Sequence, residues 1–182
     1  MIFEQTPLAD VIVVRPRVFG DERGFFMESW NQQTCAEAGY DWTFVQDNQS
    51  RSSQGILRGM HFQTEQSQGK LVRVTQGRVF DAVVDLRRSS PSFGQWFGIE
   101  LNATEHTMLY MPPGCAHGFY VQSESADFLY KTTDYYHPQS EVCLAWDDPS
   151  VGIEWPLVED QPPQVSAKDA TGLSWEQLPY YD

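Results

Sequence analysis

Short apolar segments at close spacing are the feature that most restricts the fold of this chain. Residues 11–14 are an apolar run that ends at Pro16, and residues 79–86 are a mostly apolar segment, punctuated by Asp81 and Asp85, that ends before Ser90 and Pro91. Residues 70–75 alternate polar and apolar side chains, which is typical of a half-buried strand. Further strands are predicted at 96–101, 107–111, 118–121 and 128–133. Strands this close together, separated by turn signals, predict an antiparallel sandwich or barrel.

One segment, 31–39, has the pattern of a helix instead. Asn31 suits the N-cap and Gly39 suits the position after the last turn. The tail after Trp155 is rich in proline and acidic residues, so we expect it to be mostly irregular, with a short helical turn near Ser174. The sequence contains neither an internal repeat nor a low-complexity linker. We therefore expect one mainly β domain spanning residues 1–182.

The charge balance excludes several classes of partner. The chain has 12 Lys and Arg against 25 Asp and Glu, a formal net charge of -13. Nucleic acids and membrane surfaces are also anionic, so we expect neither as a partner. A local group of arginines can still bind a small diphosphate, because salt screens charges beyond about 8 Å.

Localisation signals point to the cytoplasm. The first residues include no basic, apolar signal segment, and no apolar run reaches the roughly 20 residues that span a membrane. Cys35, Cys115 and Cys143 are odd in number and widely spaced, which argues against a disulfide framework or a paired-cysteine zinc site. A reducing cytoplasm is the expected location.

Segment 57–63, Leu-Arg-Gly-Met-His-Phe-Gln, is the strongest candidate for chemistry. Arg58 and His61 are three residues apart and would face opposite sides of a regular strand. Either Gly59 bends the chain or only one of the two reaches a given pocket. An unperturbed imidazole titrates near pH ~6.5, so His61 suits a general base. The alternative is a buried histidine bonded to the backbone.

A second candidate is segment 111–119, where two prolines and a glycine form a rigid turn before His117. His117 either lines a barrel mouth or merely caps a strand. Metal-binding cupins use a His-x-His pair, but here Phe62 and Gln63 follow His61. An amide is a poor ligand for a transition metal, so the sequence predicts no metal.

Cations cluster near His61, which is notable in such an acidic chain. Arg58 and Lys70 are close in sequence, with Arg23 further upstream. Arginine suits bidentate phosphate recognition, and lysine suits a developing oxyanion. Arg73 and Arg78 are interpreted as outward-facing strand residues.

Two further segments carry groups able to transfer protons or stack on a base. Tyr130 lies among apolar residues on a predicted strand, where a phenol is either structural or a proton donor. Tyr136 offers a flat face for stacking. Lys168 and Asp169 form a late charged pair of a kind that usually lies on the surface.

Taken together, these segments resemble the dTDP-4-dehydrorhamnose 3,5-epimerase family over nearly the whole chain. The segments that carry the resemblance are 18–26, 44–48, 57–63, 68–73, 116–119, 128–131, 152–156 and 166–169. The resemblance implies an antiparallel, cupin-like jelly-roll barrel with a short N-terminal helix and an irregular C-terminal tail. It also implies a homodimer that acts on a dTDP-sugar without a cofactor.

The implied reaction is an epimerisation at C3 and C5 of dTDP-4-keto-6-deoxyglucose, giving dTDP-4-keto-L-rhamnose. The C4 ketone acidifies the hydrogens on both neighbouring carbons. A base removes one hydrogen, an enolate forms, and a proton returns from the opposite face.

The resemblance also implies the residue roles. His61 would be the base, Asp169 would hold its other nitrogen, Tyr130 would donate the returning proton, and Lys70 would stabilise the enolate oxygen. The matching substrate-binding positions are Arg23, Glu28, Gln46, Asp47, Asn48, Arg58, His117, Tyr136, Glu141 and Lys168.

Within that binding set, the arginines suit the diphosphate and Tyr136 suits the base. Glu28 and the run 46–48 match positions near the thymine and sugar. The segment with Arg23 and Glu28 is expected to reach across the dimer interface. Met60 and Cys115 depart from the family pattern without touching the implied chemistry.

Three alternatives remain open at this point. A sibling enzyme could invert only C3 or only C5, since the same base and acid serve both steps. A nucleotide-sugar-binding barrel without turnover would need no proton donor opposite a base. A metal-dependent cupin would need the histidine pair that this sequence lacks.

Overall fold

Antiparallel strands make up most of the regular structure. The computed structural model describes residues 1–182 and contains thirteen strands, one α-helix and four short 3-10 turns. The helix α1 spans Gln32–Glu37. The strands are β1 Ile2–Gln5, β2 Ile12–Arg15, β3 Val18–Asp21, β4 Gly24–Met27, β5 Gln46–Ser53, β6 Leu57–Gln63, β7 Lys70–Gln76, β8 Arg78–Asp85, β9 Trp96–Asn102, β10 Met108–Met111, β11 Cys115–Val121, β12 Ser125–Thr132 and β13 Glu141–Cys143.

Two large sheets and one small ribbon organise these strands. The six-stranded sheet has the order β1-β2-β10-β7-β12-β5, and the five-stranded sheet has the order β13-β6-β11-β8-β9. Strands β3 and β4 pair only with each other. Every ladder within the sheets is antiparallel, as the strand spacing predicts.

The main core lies between the two large sheets. Alternation along each strand turns one set of side chains inward, such as Val72 on β7 and Phe128 on β12. They meet Val83 of β8 and Phe119 of β11 from the other sheet, and the rings of Phe119 and Phe128 stack at 4.1 Å. Burying a side chain of this size stabilises the fold by roughly 1.5–3 kcal/mol, so this layer holds the sheets face to face.

The outer face of the six-stranded sheet is covered by the segment around α1. The side chain of Asn31 accepts a hydrogen bond from the Thr34 backbone at 3.1 Å, as an N-cap does. Trp42 stacks on Tyr110 of β10 at 3.9 Å between ring centroids. Leu71 of β7 belongs to the same apolar cluster, so this sheet is buried on both faces there.

The C-terminal tail covers the outer face of the five-stranded sheet. Leu178 and Leu144 pack there against Met60 and Phe62 of β6. The predicted helical turn near Ser174 is present as a 3-10 turn, Trp175–Gln177, whose start is capped by the Ser174 side chain. The tail is irregular as predicted, and it packs against the sheet as a layer of the fold.

The chain contains no helix that is both long enough and apolar enough to cross a membrane. Several strands begin earlier than the sequence predicts. The strand predicted at 118–121 starts at Cys115, and the one predicted at 128–133 starts at Ser125. Consequently, His117 lies within a strand rather than in the turn before it.

Candidate active site

A cavity of about 440 Å³ opens between the two large sheets, a size suited to a small-molecule ligand. Walls from both sheets and from the segment 164–169 enclose it. Nine of the residues predicted from sequence line it, namely Arg58, His61, Lys70, His117, Tyr130, Tyr136, Glu141, Lys168 and Asp169.

Inward-facing strand positions continue from the core into the cavity. Lys70 lies on the same face of β7 as Val72, and Tyr130 lies on the same face of β12 as Phe128. On β11, His117 shares its face with Phe119. The apolar part of each strand therefore builds the core, and its polar end builds the site.

Strand β6 reaches the cavity by a break in its alternation. His117 pairs with His61, but Phe119 pairs with Arg58, so the register between β6 and β11 shifts by one residue. Gly59 lies at this shift with φ of +130°, a value that favours glycine. The irregularity turns both Arg58 and His61 into the cavity, which answers the question left open by their spacing.

His61 and Asp169 form a hydrogen-bonded pair at the cavity wall. His61 Nε2 donates to Asp169 Oδ1 at 2.6 Å, although the residues are 108 positions apart. Burial raises the pKa of the Asp169 carboxyl, but hydrogen bonds from His61 and Ser166 outweigh burial and lower it. With an ionised Asp169 holding the Nε2 proton, the lone pair of Nδ1 is free to accept a proton.

Tyr130 faces the cavity from the sheet opposite His61. Burial raises the pKa of its phenol, and the nearby Glu141 raises it further. A phenol with a raised pKa stays protonated at neutral pH, as a proton donor must. A base and an acid therefore lie on opposite walls of one cavity.

Lys70 is the least exposed of the cations that line the cavity, and its side chain is partly buried. Burial lowers the pKa of its ammonium from 10.5 to about 8, while Glu141 and Asp81 partly offset this effect. His117 Nε2 bonds to Asp81 Oδ2 at 2.8 Å, and both side chains are buried. Lys70, Asp81 and His117 form a polar group near His61.

Glu141 organises the rim of the cavity. Its carboxylate accepts a hydrogen bond from Tyr136 Oη at 2.7 Å and forms an ion pair with Lys168. Burial raises the pKa of Glu141, but these two partners outweigh burial and lower it. The same hydrogen bond raises the pKa of Tyr136 to about 12. Lys168 therefore belongs to the site and is not an isolated surface charge.

Arg58 presents a cation to the cavity that no carboxylate neutralises. Its Nε donates to Ser52 Oγ at 2.9 Å, and Arg58 takes part in no ion pair. The terminal nitrogens of the guanidinium remain available for an anionic ligand.

Five predicted binding residues lie outside the cavity lining. Gln46 contacts the rim, since its Oε1 accepts from the Tyr136 backbone at 3.1 Å. Asn48 shares that face of β5, and its buried Nδ2 has no hydrogen-bond partner. Asp47 faces the other way and pairs with Lys131 at 2.8 Å.

The remaining two, Arg23 and Glu28, lie on or next to the small ribbon. Arg23 pairs with Asp21 of the same ribbon, and its side chain is 85% exposed. Glu28 accepts a hydrogen bond from Asn31 at 2.9 Å. Neither residue reaches the cavity of its own chain.

One group of side chains has the composition of a metal site. His61, Cys143 and Asp169 place one donor atom each within 4.8 Å of one another. Burial raises the pKa of the Cys143 thiol to about 12, and the thiol is a weak ligand compared with a thiolate. The His61–Asp169 bond already uses the other two donors, so the arrangement favours proton transfer over metal binding.

Sequence reasoning missed several residues of the lining. Ser50 faces the cavity from β5, and Gln164 reaches it because Ile56 and Gln164 form an isolated parallel bridge. From the sequence, Gln63 served only as evidence that a second histidine, and hence a His-x-His metal motif, is absent. Period-two alternation from Asn48 could have indicated Ser50, whereas no local signal could have indicated Gln164.

Comparison with known proteins gives one consistent result. Residues 5–177 match the family model described as dTDP-4-dehydrorhamnose 3,5-epimerase. The chain is 55% identical over 169 residues to the dTDP-4-dehydrorhamnose 3,5-epimerase of Pseudomonas aeruginosa, covering 92% of each protein. It is also 55% identical over 179 residues to the Salmonella typhimurium enzyme of that name, covering 97% of each.

A solved structure agrees with these relatives. The dTDP-6-deoxy-D-glucose-3,5-epimerase of Legionella pneumophila, in complex with dTDP-4-keto-L-rhamnose, superimposes with a TM-score of 0.92 at 46% identity. The match covers 100% of this chain and 98% of that one.

Proposed function

Because this chain belongs to the dTDP-4-dehydrorhamnose 3,5-epimerase family, we propose that His61 and Tyr130 carry out the two proton transfers of that reaction in the cavity between the sheets. The protein is an isomerase that epimerises dTDP-4-keto-6-deoxyglucose at C3 and C5. The observation that carries the residue assignment is the His61–Asp169 pair, which faces a tyrosine on the opposite wall.

The first step is proton abstraction next to the ketone. His61 Nδ1 takes the proton from the ring carbon, and the C–H electron pair moves to form a C=C bond while the C4 carbonyl becomes an enolate oxygen. The ionised Asp169 stabilises the imidazolium that results. The ammonium of Lys70 stabilises the negative charge on the enolate oxygen, since Lys70 is the least exposed cation that lines the cavity.

The second step returns a proton from the other face. Tyr130 Oη donates its proton to the carbon as the C=C bond reverts to the ketone, which inverts the configuration. Solvent then takes the proton from His61 and returns one to Tyr130. The same pair acts at both carbons, because both lie next to the same carbonyl.

Substrate binding uses the remaining groups of the site. Arg58 suits the diphosphate because its guanidinium has no carboxylate partner. Tyr136 suits the thymine, since its ring is half exposed and its backbone is held at the rim. Asn48 lies outside the cavity lining, but it shares a face of β5 with the lining residue Ser50, and its buried Nδ2 has no partner within the chain that would compete with a substrate.

The proposal extends to a homodimer that completes the site. Val18, Phe19, Phe25 and Phe26 on the β3–β4 ribbon are exposed by 40 to 66%, which is an apolar surface that a partner chain would cover. Arg23 lies in the turn of the same ribbon, is 85% exposed and does not line the cavity of its own chain. A second copy of the ribbon would bring Arg23 to the diphosphate in the neighbouring cavity.

The remaining proposals concern the whole chain. The two facing sheets and their strand orders support a single jelly-roll domain over residues 1–182. Three buried, unpaired cysteines suit a reducing compartment, in line with a cytoplasmic location. The scheme uses only protein side chains, so turnover should survive extended dialysis against a chelator.

Solvent exchange tests the reaction assignment. The protein is incubated with dTDP-4-keto-6-deoxyglucose in D₂O, without a reductase, and C3 and C5 are followed by NMR. We expect deuterium at both carbons, and His61→Ala should slow exchange at both by at least ~100-fold. Near-normal exchange in that variant would remove His61 from the role of base. Deuterium at one carbon only would identify a single-position epimerase.

Mixing two inactive variants tests the shared site. Arg23→Ala and His61→Ala chains are co-refolded so that mixed dimers form. If Arg23 acts across the interface, each mixed dimer contains one intact site, and about a quarter of wild-type activity returns under random pairing. If Arg23 acts within its own chain, activity does not return.

A further inference from the structure

Gln63 is a buried polar residue of the cavity wall to which the proposed reaction gives no role. It lies two positions after His61 on β6, its side chain faces inward, and it is 5% exposed. A buried amide must satisfy both its donors and its acceptor, so its partners reveal what it holds in place.

The side-chain amide of Gln63 makes three hydrogen bonds, two donated by its nitrogen and one accepted by its oxygen. Gln63 Nε2 donates to the carbonyl of Gln66 at 2.8 Å and to the carbonyl of Tyr135 at 3.2 Å. Gln63 Oε1 accepts from the backbone N–H of His137 at 3.0 Å. The two carbonyls require the amide nitrogen on their side and the N–H requires the amide oxygen, so the orientation of the amide is determined.

Two of these partners flank a single residue. The carbonyl of Tyr135 belongs to the peptide group before Tyr136, and the N–H of His137 belongs to the peptide group after it. Gln63 thus fixes the peptide planes on both sides of the Tyr136 Cα, and so constrains both of its backbone dihedral angles. Tyr136 is 52% exposed, so packing alone does little to hold it.

We infer that Gln63 is a positioning residue that presents the ring of Tyr136 to the base of a nucleoside diphosphate. This inference rests on the proposed function, in which Tyr136 stacks on the base. Holding the ring before binding lowers the entropy lost when the nucleotide arrives. The side chain of Gln63 makes no hydrogen bond to His61 or Asp169, so we expect its effect to be on affinity rather than on proton transfer.

The bonding pattern also explains why glutamine and not histidine or glutamate occupies position 63. A glutamate would still accept from His137, but its second oxygen would face the carbonyls of Tyr135 and Gln66. Oxygen facing oxygen without a proton is repulsive. A histidine cannot donate to both carbonyls and accept from the N–H at the same time.

The test is a double-mutant cycle measured by dTDP binding. Kd for dTDP is determined by calorimetry for wild type, Gln63→Met, Tyr136→Ala and the double variant. Gln63→Met has a similar volume but loses all three bonds, and we expect it to weaken dTDP binding about tenfold when Tyr136 is present. In the Tyr136→Ala background, the same change should alter Kd by less than about twofold, because the ring it positions is absent.

Two further variants complete the design. Gln63→Glu retains only the bond from His137 and should also weaken dTDP binding. It provides a second test of position 63 if the methionine variant folds poorly. Gln54→Met is the matched control, since Gln54 Nε2 donates to the carbonyl of Gln122 at 2.8 Å on the protein surface, away from the cavity. It should leave Kd unchanged, and melting temperatures should confirm that every variant is folded.

The outcomes separate this inference from the proposed reaction. Equal losses of affinity with and without Tyr136 would overturn the positioning role, as would a Gln63→Met variant with normal Kd and reduced kcat. Deuterium exchange by wild type tests the reaction independently of dTDP affinity. A protein that exchanges normally but shows no coupling would keep its function and lose only this inference.

Discussion

Gly59 and Gly118 meet backbone to backbone across β6 and β11. A Cβ added to Gly59 would lie 2.5 Å from the Cα of Gly118, and one added to Gly118 would lie 2.8 Å from the carbonyl oxygen of Arg58. The contact lies at the register shift that turns Arg58 and His61 to the same side. Two residues without side chains therefore allow the strand geometry that turns Arg58 and His61 into one cavity.

Gly118→Ala should accordingly damage the site through the backbone. The added methyl group has no room beside Arg58, so the strands must separate locally, and we expect a loss of about 1–3 kcal/mol of folding stability. Turnover should fall by more than the folded fraction explains, because Arg58 and His61 move apart. Urea unfolding together with kcat/KM measures both effects.

Gly152→Asn is the control for that change. The φ of Gly152 is +67°, within the left-handed region that asparagine tolerates, and a Cβ there would meet only the Pro149 carbonyl oxygen at 3.8 Å. It should leave both quantities near wild type. A Gly118→Ala variant with full activity would show that the close approach is not required.

Replacing Tyr130 with phenylalanine should separate exchange from inversion. His61 can still remove and return a proton on its own face, so deuterium should continue to enter the substrate. Inversion should fall by about 100-fold or more, because the donor on the opposite wall is missing. NMR of the sugar reports both quantities in one experiment, and parallel losses of exchange and inversion would contradict the role of Tyr130. Tyr40→Phe, on the far side of the six-stranded sheet, is the control.

The charge on Lys70 should limit activity at alkaline pH. Its ammonium has a pKa of about 8, so it is charged below that pH and neutral above it. If the charge stabilises the enolate, kcat should fall as pH rises through about 8. Lys70→Met should lose roughly 100-fold or more in kcat and should also lose this alkaline decline. A variant that keeps the decline would assign it to another group.

The partly desolvated charge of Lys70 should lower the free energy of unfolding at neutral pH. Its pKa is lower in the folded state than the ordinary 10.5, so the unfolded state binds more protons between about pH 8 and 10.5 and stability rises across that window. Below pH 8 the destabilisation is present in full. Lys70→Met should therefore be more stable at pH 7 by about 1–3 kcal/mol, measured by urea unfolding.

Arg58→Ala should weaken nucleotide-sugar binding. Removing a guanidinium that bonds an anion should raise Kd about 10- to 100-fold, with little change in melting temperature because Arg58 forms no internal ion pair. Arg51→Ala is a matched control, since Arg51 on β5 is already paired with Asp127 at 2.5 Å. An unchanged Kd for the Arg58 variant would remove it from phosphate recognition.

The sequence pattern predicted strands β7, β11 and β12, which contribute to both the core and the site, but it did not predict β5. Strand β5 reads Gln-Asp-Asn-Gln-Ser-Arg-Ser-Ser and has no apolar residue to alternate. Its inward-facing side includes the polar residues Asn48 and Ser50, and Ser50 lines the cavity instead of the core, so the usual apolar signal is absent. Strands β3 and β4 were missed for a related reason, because their apolar side chains are exposed in the single chain.

Contacts between residues far apart in the sequence could not be predicted from local sequence patterns. Asp169 follows Lys168 in a stretch that reads as surface, yet it is buried against His61, more than a hundred residues away. Only the resemblance to a family indicated that pairing. The effect of Gly59 was posed as two options, and the choice between them depended on Gly118, which lies on another strand.

The way in which the segment of Asp169 is joined to the sheets has a consequence for the loss of activity on heating. Asp169 sits in a segment joined to the sheets by isolated bridges, Ile56 to Gln164 and Leu144 to Leu173, rather than by a continuous ladder. Segments with few cooperative bonds open before the core does. On gentle heating, the enzyme should thus lose activity while the circular dichroism of its β-sheets is unchanged. On cooling, activity should return without global refolding.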